Sequence, residues 1–541
     1  MFTLPAVLEY LIVGAAAALL YGLCAFGMLG ALQQAGYGSG RFFAWFNRKG
    51  NMARSRLVLL AFLIALSAAV LGVCFSFLGD AAGYIALLPV PLFVGIYCLA
   101  DRRALKVPFT GTRRACRIYV IHVLLLFILS AGLCIAGAAL AYYPLAQHPL
   151  AEHVRYILLA LVPLLHPFVL AAANALEKPF SSAANKKYIA RAREKLAGAP
   201  CIKVGITGSF GKTSVKNFLA AILSERWRVF ATPASYNTPL GIAKAAEKED
   251  LSQYDFFLAE MGARHKGDVA ELCALVQPDH CILTGVCPQH LETFGSLEAV
   301  VAAKGEIFAG TKKGGFAVVG QDENTAALDP EKEGLVCVRV GEHGECGALN
   351  IKCGASGTDF TLALGIVQTE VHTKLLGAHN ARNIALAAAL AYKLGMSKEE
   401  ILAGIGKIDY VPHRLQPYVS NGVTILDDAY NANVVGAEAA LGVLRLFEGR
   451  KFVVTPGLVE LGVLEEKENF ALGEKLAGLD RVILVGATLV LAVKRGYLSA
   501  GGEEEKLTVV PSLKAAEELL SRELSEGDAV LFLNDLPDIY N

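Results

Sequence analysis

The chain has 541 residues, of which 54% are hydrophobic and only 18% are charged, and its mean hydropathy is +0.46. This composition is too apolar for a wholly soluble protein, and the length allows three or four domains. Because 50 basic residues balance 50 acidic ones, nucleic acid is not indicated as a partner. The 12 cysteines include no C-x-x-C pair, which argues against a zinc ribbon or a disulfide framework and indicates free thiols.

Long apolar stretches fill the first third of the chain. Five of them reach the ~20 residues that a helix needs to cross a bilayer. They are Tyr10–Leu32, Leu57–Gly79, Ala81–Ala100, Ile118–Tyr143 and Tyr156–Leu176. The pattern predicts a multi-pass α-helical membrane domain of about five transmembrane helices over residues 1–177. Two titrating side chains inside these stretches, His122 and His166, are either functional groups or neutral residues packed between helices.

Lysine and arginine are concentrated in alternate connections between the apolar stretches. The cations after the first, third and fifth stretches are Arg41, Arg48, Lys49, Arg54 and Arg56, then Arg102, Arg103, Lys106, Arg113, Arg114 and Arg117, then Lys178, Lys186, Lys187, Arg191, Arg193 and Lys195. The connections around residues 80 and 144–153 carry almost none. By the positive-inside rule, the N-terminus is expected outside the cytoplasmic membrane and everything after the fifth stretch inside. The basic composition of residues 178–199 then predicts a helical linker whose cations could contact membrane lipids.

A glycine-rich segment opens the second half of the chain. An apolar run over residues 201–207 is typical of a buried strand, and Gly208, Ser209, Gly211, Lys212, Thr213 and Ser214 then lead into helical periodicity. Such a junction directs backbone N–H groups and the positive end of a helix dipole at one point. Lys212 adds a charge suited to nucleotide phosphates, and Thr213 adds a hydroxyl suited to Mg²⁺. The segment therefore predicts a phosphate-binding loop, shorter than the usual G-x-x-x-x-G-K-[ST].

Short β-rich runs alternate with helical segments after residue 200. The predicted strands are Cys201–Thr207, Val229–Ala231, Asp255–Glu260, His280–Thr284, Gly315–Val319, Gly422–Leu426, Lys451–Thr455, Arg481–Val485, Lys506–Val510 and Asp528–Phe532. A β-rich excursion over 336–368 and an alanine-rich helix, Ala378–Leu394, separate the two groups of strands. The alternation predicts α/β architecture. We expect a phosphate-loop domain with a parallel sheet over 200–410 and a Rossmann-like domain over 411–541.

Two further residues, Glu260 and His290, could carry chemistry. Glu260 ends a predicted strand and His290 follows the next one, and working residues in open α/β sheets lie at the carboxyl ends of strands. A carboxylate there could hold the Mg²⁺ that accompanies a nucleotide, and His290 could be a second metal ligand. Lys304, considered alone, would be a surface helix lysine.

The order of these motifs resembles the Mur ligase family, from about Val204 to Gly462. The motifs that carry the resemblance are Thr207-Gly-x-x-Gly-Lys-Thr213, Glu260-Met-Gly-Ala263, His290-Leu-Glu-x-Phe-Gly-Ser296, Ala303-Lys-Gly-Glu-Ile307, Gly377-x-His-Asn-x-x-Asn383, Arg414 and Asp427-Asp-x-Tyr-Asn-Ala-Asn433. The resemblance implies Mur ligase central and C-terminal domains. It also implies an ATP-dependent ligase that joins a carboxylate to an amine through an acyl phosphate, typically in peptidoglycan synthesis.

The resemblance also implies roles for individual residues. Lys212, Lys304 and His290 would be the catalytic residues, and Thr213, Glu260, His290 and Lys304 would hold two Mg²⁺ ions, with Lys304 carried as a carbamate. The nucleotide would be bound by Gly208, Ser209, Gly211, Lys212, Thr213 and Ser214, together with Asn380, Asn383, Arg414 and Asp428. The segment Tyr236–Thr238 would lie near the carboxylate acceptor and the γ-phosphate.

The chain departs from the family in ways that bear on its substrate. Soluble family members begin with a domain that holds a UDP-sugar, where this chain has apolar stretches, and the usual Lys-Gly-Ser run near the end is replaced by residues 532–541. Pro412-His413-Arg414 also stands in place of Pro-Gly-Arg. We therefore expect a carboxylate acceptor that is linked to a lipid, and an amino acid or dipeptide as the amine. The alternatives are a membrane-bound synthetase of poly-amino-acid or capsule material, an ATP-driven lipid translocator and a scaffold.

Overall fold

The computed structural model describes residues 4–47, 52–78, 81–102, 109–142, 154–429, 433–486 and 489–534. Two compact units account for these residues, Met1–Ala184 and Asn185–Leu536, and the boundary between them falls inside one long helix, Leu161–Gly198. Several residues of the predicted connections lie outside the described residues, namely Arg48, Lys49, Arg103, Lys106 and positions 144–153.

The described part of the first unit is helical. Its α-helices are α1 (Leu4–Gly22), α2 (Ala25–Gln34), α3 (Ser39–Phe46), α4 (Met52–Cys74), α5 (Ala81–Leu87), α6 (Val90–Arg102), α7 (Arg113–Tyr142), α8 (Val154–Leu158) and α9 (Leu161–Gly198). Four stretches among the described residues are long and apolar enough to cross a membrane: Leu4–Gly22, Met52–Cys74, Tyr84–Asp101 and Arg113–Leu140. Their lengths match the thickness of a bilayer core.

The first, third and fifth predicted apolar stretches are each divided between two helices, so the predicted bounds of these three were wrong; the third, Ala81–Ala100, is divided between α5 and α6. Within Tyr10–Leu32 the chain leaves α1 at Gly22, where Cys24 N donates to Tyr21 O over three residues. Glycine is a weak helix former, costing about 1 kcal/mol relative to alanine, and it favours a break at this point. Within Tyr156–Leu176 the chain is divided between α8 and α9. Pro163 has no N–H for the bond to Leu159 that a continuous helix would need, so α9 begins just before it.

The helices of the first unit are joined by close packing and by a few buried polar contacts. A methyl group added at Gly14 in α1 would lie 2.8 Å from the backbone of Ala131 in α7, and small residues allow such approaches between apolar helices. The fully buried carboxylate of Glu177 accepts from Arg114 at 3.1 Å and from Arg117 at 2.6 Å. This ion-pair cluster fixes α7 against α9.

The two histidines of the apolar stretches lie together. His122 Nε2 is 3.5 Å from His166 Nε2, and His166 Nε2 is 2.9 Å from Tyr21 O, with both rings buried. This arrangement fits the interpretation of histidines packed between helices.

The second unit begins with the C-terminal part of α9, where the basic linker was predicted. The segment is helical, as expected, but its apolar face is not exposed. Ala192 and Leu196 are fully buried in a core that also includes Ile242 and Phe257, and Lys195 Nζ donates to Glu247 O at 3.1 Å. The end of α9 is therefore part of the α/β fold.

The first sheet is largely parallel and has the order β2-β3-β1-β4-β5-β6-β7-β8-β9. Its strands are β1 (Ile202–Thr207), β2 (Val229–Ala231), β3 (Phe256–Glu260), β4 (His280–Leu283), β5 (Phe316–Gly320), β6 (Val336–Val340), β7 (Cys346–Gly354), β8 (Gly357–Leu364) and β9 (Val367–Thr373). Strands β7 to β9 pair antiparallel and form the predicted β-rich excursion. The accompanying helices are α10 (Lys212–Leu223), α11 (Pro239–Lys248), α12 (Asp268–Val276), α13 (Leu291–Phe294), α14 (Leu297–Gly310), α15 (Ala378–Lys393) and α16 (Lys398–Gly406).

The second sheet has the order β10-β11-β15-β12-β13-β14. Its strands are β10 (Gln416–Ser420), β11 (Val423–Asp428), β12 (Lys451–Thr455), β13 (Arg481–Val485), β14 (Leu507–Val510) and β15 (Ala529–Leu533), and its helices are α17 (Val434–Leu444), α18 (Glu465–Leu476), α19 (Val490–Ser499) and α20 (Leu513–Glu523). All pairs except β10/β11 are parallel, which confirms the predicted Rossmann-like pattern. Strand β10 was not predicted.

The strand register brings the predicted site residues to one edge of the first sheet. β1 lies between β3 and β4, with Ile206 opposite Glu260 and Thr207 opposite Leu283. These strands are buried, so they form a rigid base for the loops that follow them. The loops after three parallel strands therefore meet at a single carboxyl edge, where α/β proteins bind ligands.

Candidate functional site

The phosphate loop is shaped by two glycines with left-handed backbone conformations. Gly208 has φ +147° and Gly211 has φ +72°, which residues with a side chain rarely adopt. Gly211 is the residue before α10, so the free N–H groups of the first turn of α10 face the loop. Lys212 Nζ donates to Gly208 O at 2.8 Å across the loop, and burial lowers the pKa of Lys212.

A hydroxyl and a carboxylate meet beside this loop. Thr213 Oγ1 donates to Glu260 Oε2 at 2.8 Å, and Asn237 Nδ2 donates to Glu260 Oε1 at 3.2 Å. Thr213 and Glu260 are both buried. Hydroxyl and carboxylate oxygens are the hard donors that Mg²⁺ prefers, so these residues fit a magnesium ion. The described residues contain no group of three or more His, Cys, Asp or Glu that could hold a metal ion.

Lys216 is a residue of this site that the sequence analysis missed. It lies one helical turn after Lys212, is 1% exposed, and its Nζ is 3.6 Å from Glu260 Oε2. The same ammonium donates to Thr232 O at 2.6 Å and to Ala234 O. Burial lowers the pKa of Lys216, and the neighbouring Glu260 carboxylate opposes that change. Lys216 thus joins the phosphate-loop helix to the loop that leads to Asn237.

Lys304, considered alone, was expected to be a surface lysine, but the structure shows that it is buried. It is 2% exposed in α14, and burial, reinforced by repulsion from Lys212, lowers its pKa to about 7. At physiological pH, Lys304 is therefore a neutral amine in a substantial fraction of the molecules.

His290 and its partner come from distant parts of the chain. His290, at the start of α13, contacts Glu460 through its Nδ1, and Glu460 Oε1 is 3.3 Å from Arg264 Nη1. Neither Glu460 nor Arg264 was singled out by the sequence analysis. The signal that could have indicated Glu460 is its place in the loop after strand β12, at the carboxyl edge of a parallel sheet.

Residues of the second sheet line the same cavity. Asp428 ends β11 and its Oδ1 accepts from Leu415 N at 3.1 Å. Burial raises the pKa of Asp428 to about 6, while the nearby Arg414 cation opposes the rise. Arg414 lines the same cavity as the phosphate loop, and repulsion from its cation helps to lower the pKa of Lys212.

Asn380 and Asn383 lie in the first turns of α15, and both are 5% exposed. Asn380 Nδ2 donates to Leu376 O at 2.9 Å, and a methyl group added at Gly211 would lie 2.6 Å from Asn383 Oδ1. The helix start is therefore packed directly against the phosphate loop.

One cavity of about 1060 Å³ collects these side chains. Among the predicted site residues, those that line it are Ser209, Gly211, Lys212, Thr213, Ser214, Glu260, His290, Lys304, Asn380, Asn383, Arg414 and Asp428. Gly208 contributes its carbonyl, which accepts from Lys212 Nζ. Of the Tyr236–Thr238 segment, Asn237 and Thr238 line the cavity. Most of the residues that the sequence selected are thus brought together.

The fold and the site define the second unit as a phosphate-loop α/β protein with two sheets that share one cavity. Two family descriptions match it: the Mur ligase middle domain over residues 206–391, and the glutamate ligase domain of Mur ligases over residues 413–534. The chain belongs to the Mur ligase family, as its motifs predicted.

Curated relatives support this membership. The chain is 35% identical over 295 residues to UDP-N-acetylmuramoyl-tripeptide–D-alanyl-D-alanine ligase of Escherichia coli, a match that covers 53% of this chain and 65% of the relative. It is 31% identical over 372 residues to the ligase of the same name from Mycobacterium tuberculosis, covering 63% and 71%. It spans only 58% of the Haemophilus influenzae relative. The chain therefore matches about two thirds of the length of these ligases.

Solved structures of Mur ligases also resemble this chain. MurF from Acinetobacter baumannii superposes with a TM-score of 0.59 at 27% identity, covering 65% of this chain and 77% of that one. MurF ligase from Thermotoga maritima in complex with ADP also gives 0.59 at 26% identity, covering 66% and 81%.

Proposed function

We propose that this protein is an ATP-dependent carboxylate–amine ligase that acts through an acyl phosphate in the synthesis of a peptidoglycan or other cell-envelope precursor. The observation that carries the proposal is the Thr213–Glu260 hydrogen bond beside Lys212, at the start of α10. A lysine, a hydroxyl and a carboxylate placed together in this way are what a nucleoside triphosphate and its magnesium ion require. The MurF-type names of the relatives supply the reaction class.

A carboxylate and an amine do not condense in water, so the carboxylate has to be activated first. In the proposed reaction a carboxylate oxygen of the acceptor takes the γ-phosphoryl group and ADP leaves. The amine nitrogen then attacks the acyl carbon, phosphate leaves, and the amine gives up a proton as the amide forms. Lys212 and the N–H groups at the start of α10 stabilise negative charge on the transferring oxygens. Magnesium, when bound, supplies further charge neutralisation at the phosphates.

Lys304 is proposed to act as a carbamate. Its buried side chain has a pKa of about 7, so its neutral amine can add CO₂ and release a proton. The product is a carboxylate surrogate, which would supply oxygen ligands for a second Mg²⁺. Glu260, Thr213 and His290 are proposed to bind the first Mg²⁺.

Residues of the second sheet are proposed to complete the ATP site. Arg414 and Asp428 line the cavity that the phosphate loop also lines, as do Asn380 and Asn383 of α15. Closing the cavity around bound ATP would exclude water from the acyl phosphate, whose hydrolysis would waste ATP. Asn237 and Thr238 line the same cavity and are proposed to lie near the carboxylate acceptor and the γ-phosphate.

The membrane part of the proposal rests on the first 200 residues. The matched family regions begin only at residue 206, and the preceding segment holds the four apolar stretches described above. We propose a membrane domain over 1–177, a helical linker over 178–199, ligase domains over 200–410 and 411–541 on the cytoplasmic side, and a lipid-linked acceptor. Labelling of single introduced cysteines in intact cells would test this topology. Labelling of the ligase half from outside would contradict it.

Release of ADP by the purified full chain tests the ligase proposal. ADP release should require both a carboxylate acceptor and an amine such as D-alanyl-D-alanine. Replacing Lys212 with methionine should lower the rate at least a hundredfold, because the transferring phosphoryl group loses its cation. Lys313→Met, an exposed lysine outside the cavity, is the matched control. ATP turnover that ignores every amine and carboxylate would instead favour a translocator.

Parallel reactions with a UDP-linked and a lipid-linked muramoyl peptide would show which of the two compounds is the carboxylate acceptor. Mass spectrometry should find one added amine unit on the lipid-linked compound. Ligation of the UDP-linked compound alone would refute the lipid-linked acceptor while leaving the ligase proposal intact. A ladder of products would point to a poly-amino-acid synthetase.

A further inference from the structure

Glu460 links the two sheets of the second unit through its carboxylate. It lies in the loop after β12, and its two oxygens contact residues near the first sheet: Oε2 contacts His290 Nδ1, and Oε1 is 3.3 Å from Arg264 Nη1. The side chains of Glu460 and His290 are 17% and 13% exposed. Both partners in this contact are therefore largely removed from solvent.

The contact fixes the hydrogen on one nitrogen of His290. A carboxylate can only accept, so the imidazole donates its Nδ1–H to Glu460, and in the neutral ring the lone pair is then on Nε2. Histidines that bind metals are commonly oriented by a carboxylate on the nitrogen that does not bind. Arg264 contacts the second oxygen of the same carboxylate at 3.3 Å and adds a charge-assisted interaction that holds the carboxylate in place.

The backbone on both sides of this contact is held in an uncommon conformation. His290 has φ +53° and Glu460 has φ +62°, although neither is glycine. The loop of Glu460 is fixed by its neighbours, since Leu458 N donates to Asn469 Oδ1 at 2.9 Å and Leu461 is 2% exposed. Strained positions of this kind persist only where the surroundings determine them.

We infer that Glu460 is a positioning residue, which sets the tautomer and direction of His290 so that Nε2 can bind the divalent cation of the ATP site. The inference rests on the proposed function, because that function supplies the cation. Glu460 and His290 belong to the two different ligase domains. Cation affinity therefore depends on the approach of the C-terminal domain to the phosphate loop.

Binding of Mn²⁺ to the full chain in detergent, measured by electron paramagnetic resonance with ADP present, tests this inference without turnover. Replacing Glu460 with alanine should weaken Mn²⁺ binding about ten- to a hundredfold, as loss of a carboxylate behind a histidine ligand does. Glu460→Gln keeps an acceptor oxygen for His290 and should lose less. Binding of ADP without a divalent cation should not change. Glu292→Ala, an exposed acidic residue two positions from His290, is the matched control.

A double-mutant cycle separates positioning from general stabilisation. In a His290→Ala background, Glu460→Ala should have no further effect on Mn²⁺ affinity. Equal Mn²⁺ affinity in the wild type and Glu460→Gln and Glu460→Ala variants would overturn the inference, as would an undiminished effect without His290. Failure of the wild type to bind Mn²⁺ in the presence of ADP would overturn the proposed function itself, a different result.

Discussion

The α-carbon of Gly211 and the side-chain amide of Asn383 are close neighbours: a methyl group on Gly211 would lie 2.6 Å from Asn383 Oδ1. Real Cβ atoms do not approach an oxygen so closely, and the φ of +72° at Gly211 adds strain for any other residue. The phosphate loop and the start of α15 therefore depend on each other's shape.

Replacing Gly211 with alanine should weaken ATP binding at least tenfold. The added methyl group displaces either the Asn383 amide or the N–H groups at the start of α10, and both face the nucleotide cavity. Isothermal titration calorimetry with ATP would measure the change. Gly442→Ala is the control, because an added methyl group at this exposed helical glycine meets nothing within 4 Å. Equal affinities of the two variants would show that the loop tolerates the methyl group.

Replacing Lys216 with methionine should lower both stability and activity. The change leaves the buried carbonyl of Thr232 without its donor and Glu260 without its neighbouring cation, and a buried unsatisfied group costs about 1–3 kcal/mol. The melting temperature of the full chain in detergent, together with ADP release, would record the loss. Lys244→Met, at an exposed position of α11, should change neither. A normal melting temperature for the Lys216 variant would contradict the packing argument.

Replacing Lys304 with methionine should abolish ligation yet raise the melting temperature. The buried lysine has a pKa of about 7 because burial disfavours its charge, so an apolar side chain of similar length removes an unfavourable group. The same change removes the amine that would carry the carbamate. Differential scanning fluorimetry and ADP release would be measured on the same sample. Retained activity would exclude the proposed carbamate.

The pH dependence of stability should reveal the half-buried carboxyl of Asp428. Its pKa is raised from 3.8 to about 6, so the folded chain binds a proton more readily than the unfolded chain between those values. Stability from this group is therefore gained as the pH falls, by about 1 kcal/mol between pH 7 and pH 5. Asp428→Asn, which still offers an oxygen to Leu415 N–H, lacks this gain. Melting temperatures of nucleotide-free wild type and variant at the two pH values should thus diverge in favour of the wild type at pH 5.

Local sequence was enough to predict the parts of the site that lie on one strand–loop–helix segment. The run from β1 to α10 contains its own glycines, lysine and hydroxyl, and the buried strands were visible as apolar runs. Strand β10 escaped notice because Pro417 interrupts its pattern and the strand lies at the edge of its sheet, where the pairing is antiparallel. The break before Pro163 could have been predicted from that proline.

Contacts between distant segments were the part that the sequence could not supply. Glu460 is 170 residues from His290, and no local pattern indicates which loop of the second sheet faces the first. Lys216 looked like one more charge on an amphipathic helix. Its burial depends on β2 and β3 covering that face of α10, which is a property of the assembled sheet.

The C-terminal turns of α9 have a practical bearing on how the ligase half can be isolated. Ala192 and Leu196 are fully buried beside Ile242 and Phe257, although they precede the first strand and the matched family region. A soluble fragment that begins at Cys201 would lack Ala192 and Leu196 and would expose the apolar surface around Ile242 and Phe257 that they cover. Such a fragment would be expected to aggregate. A fragment that starts near Asn185 would keep the helix in place and is the better material for crystallisation.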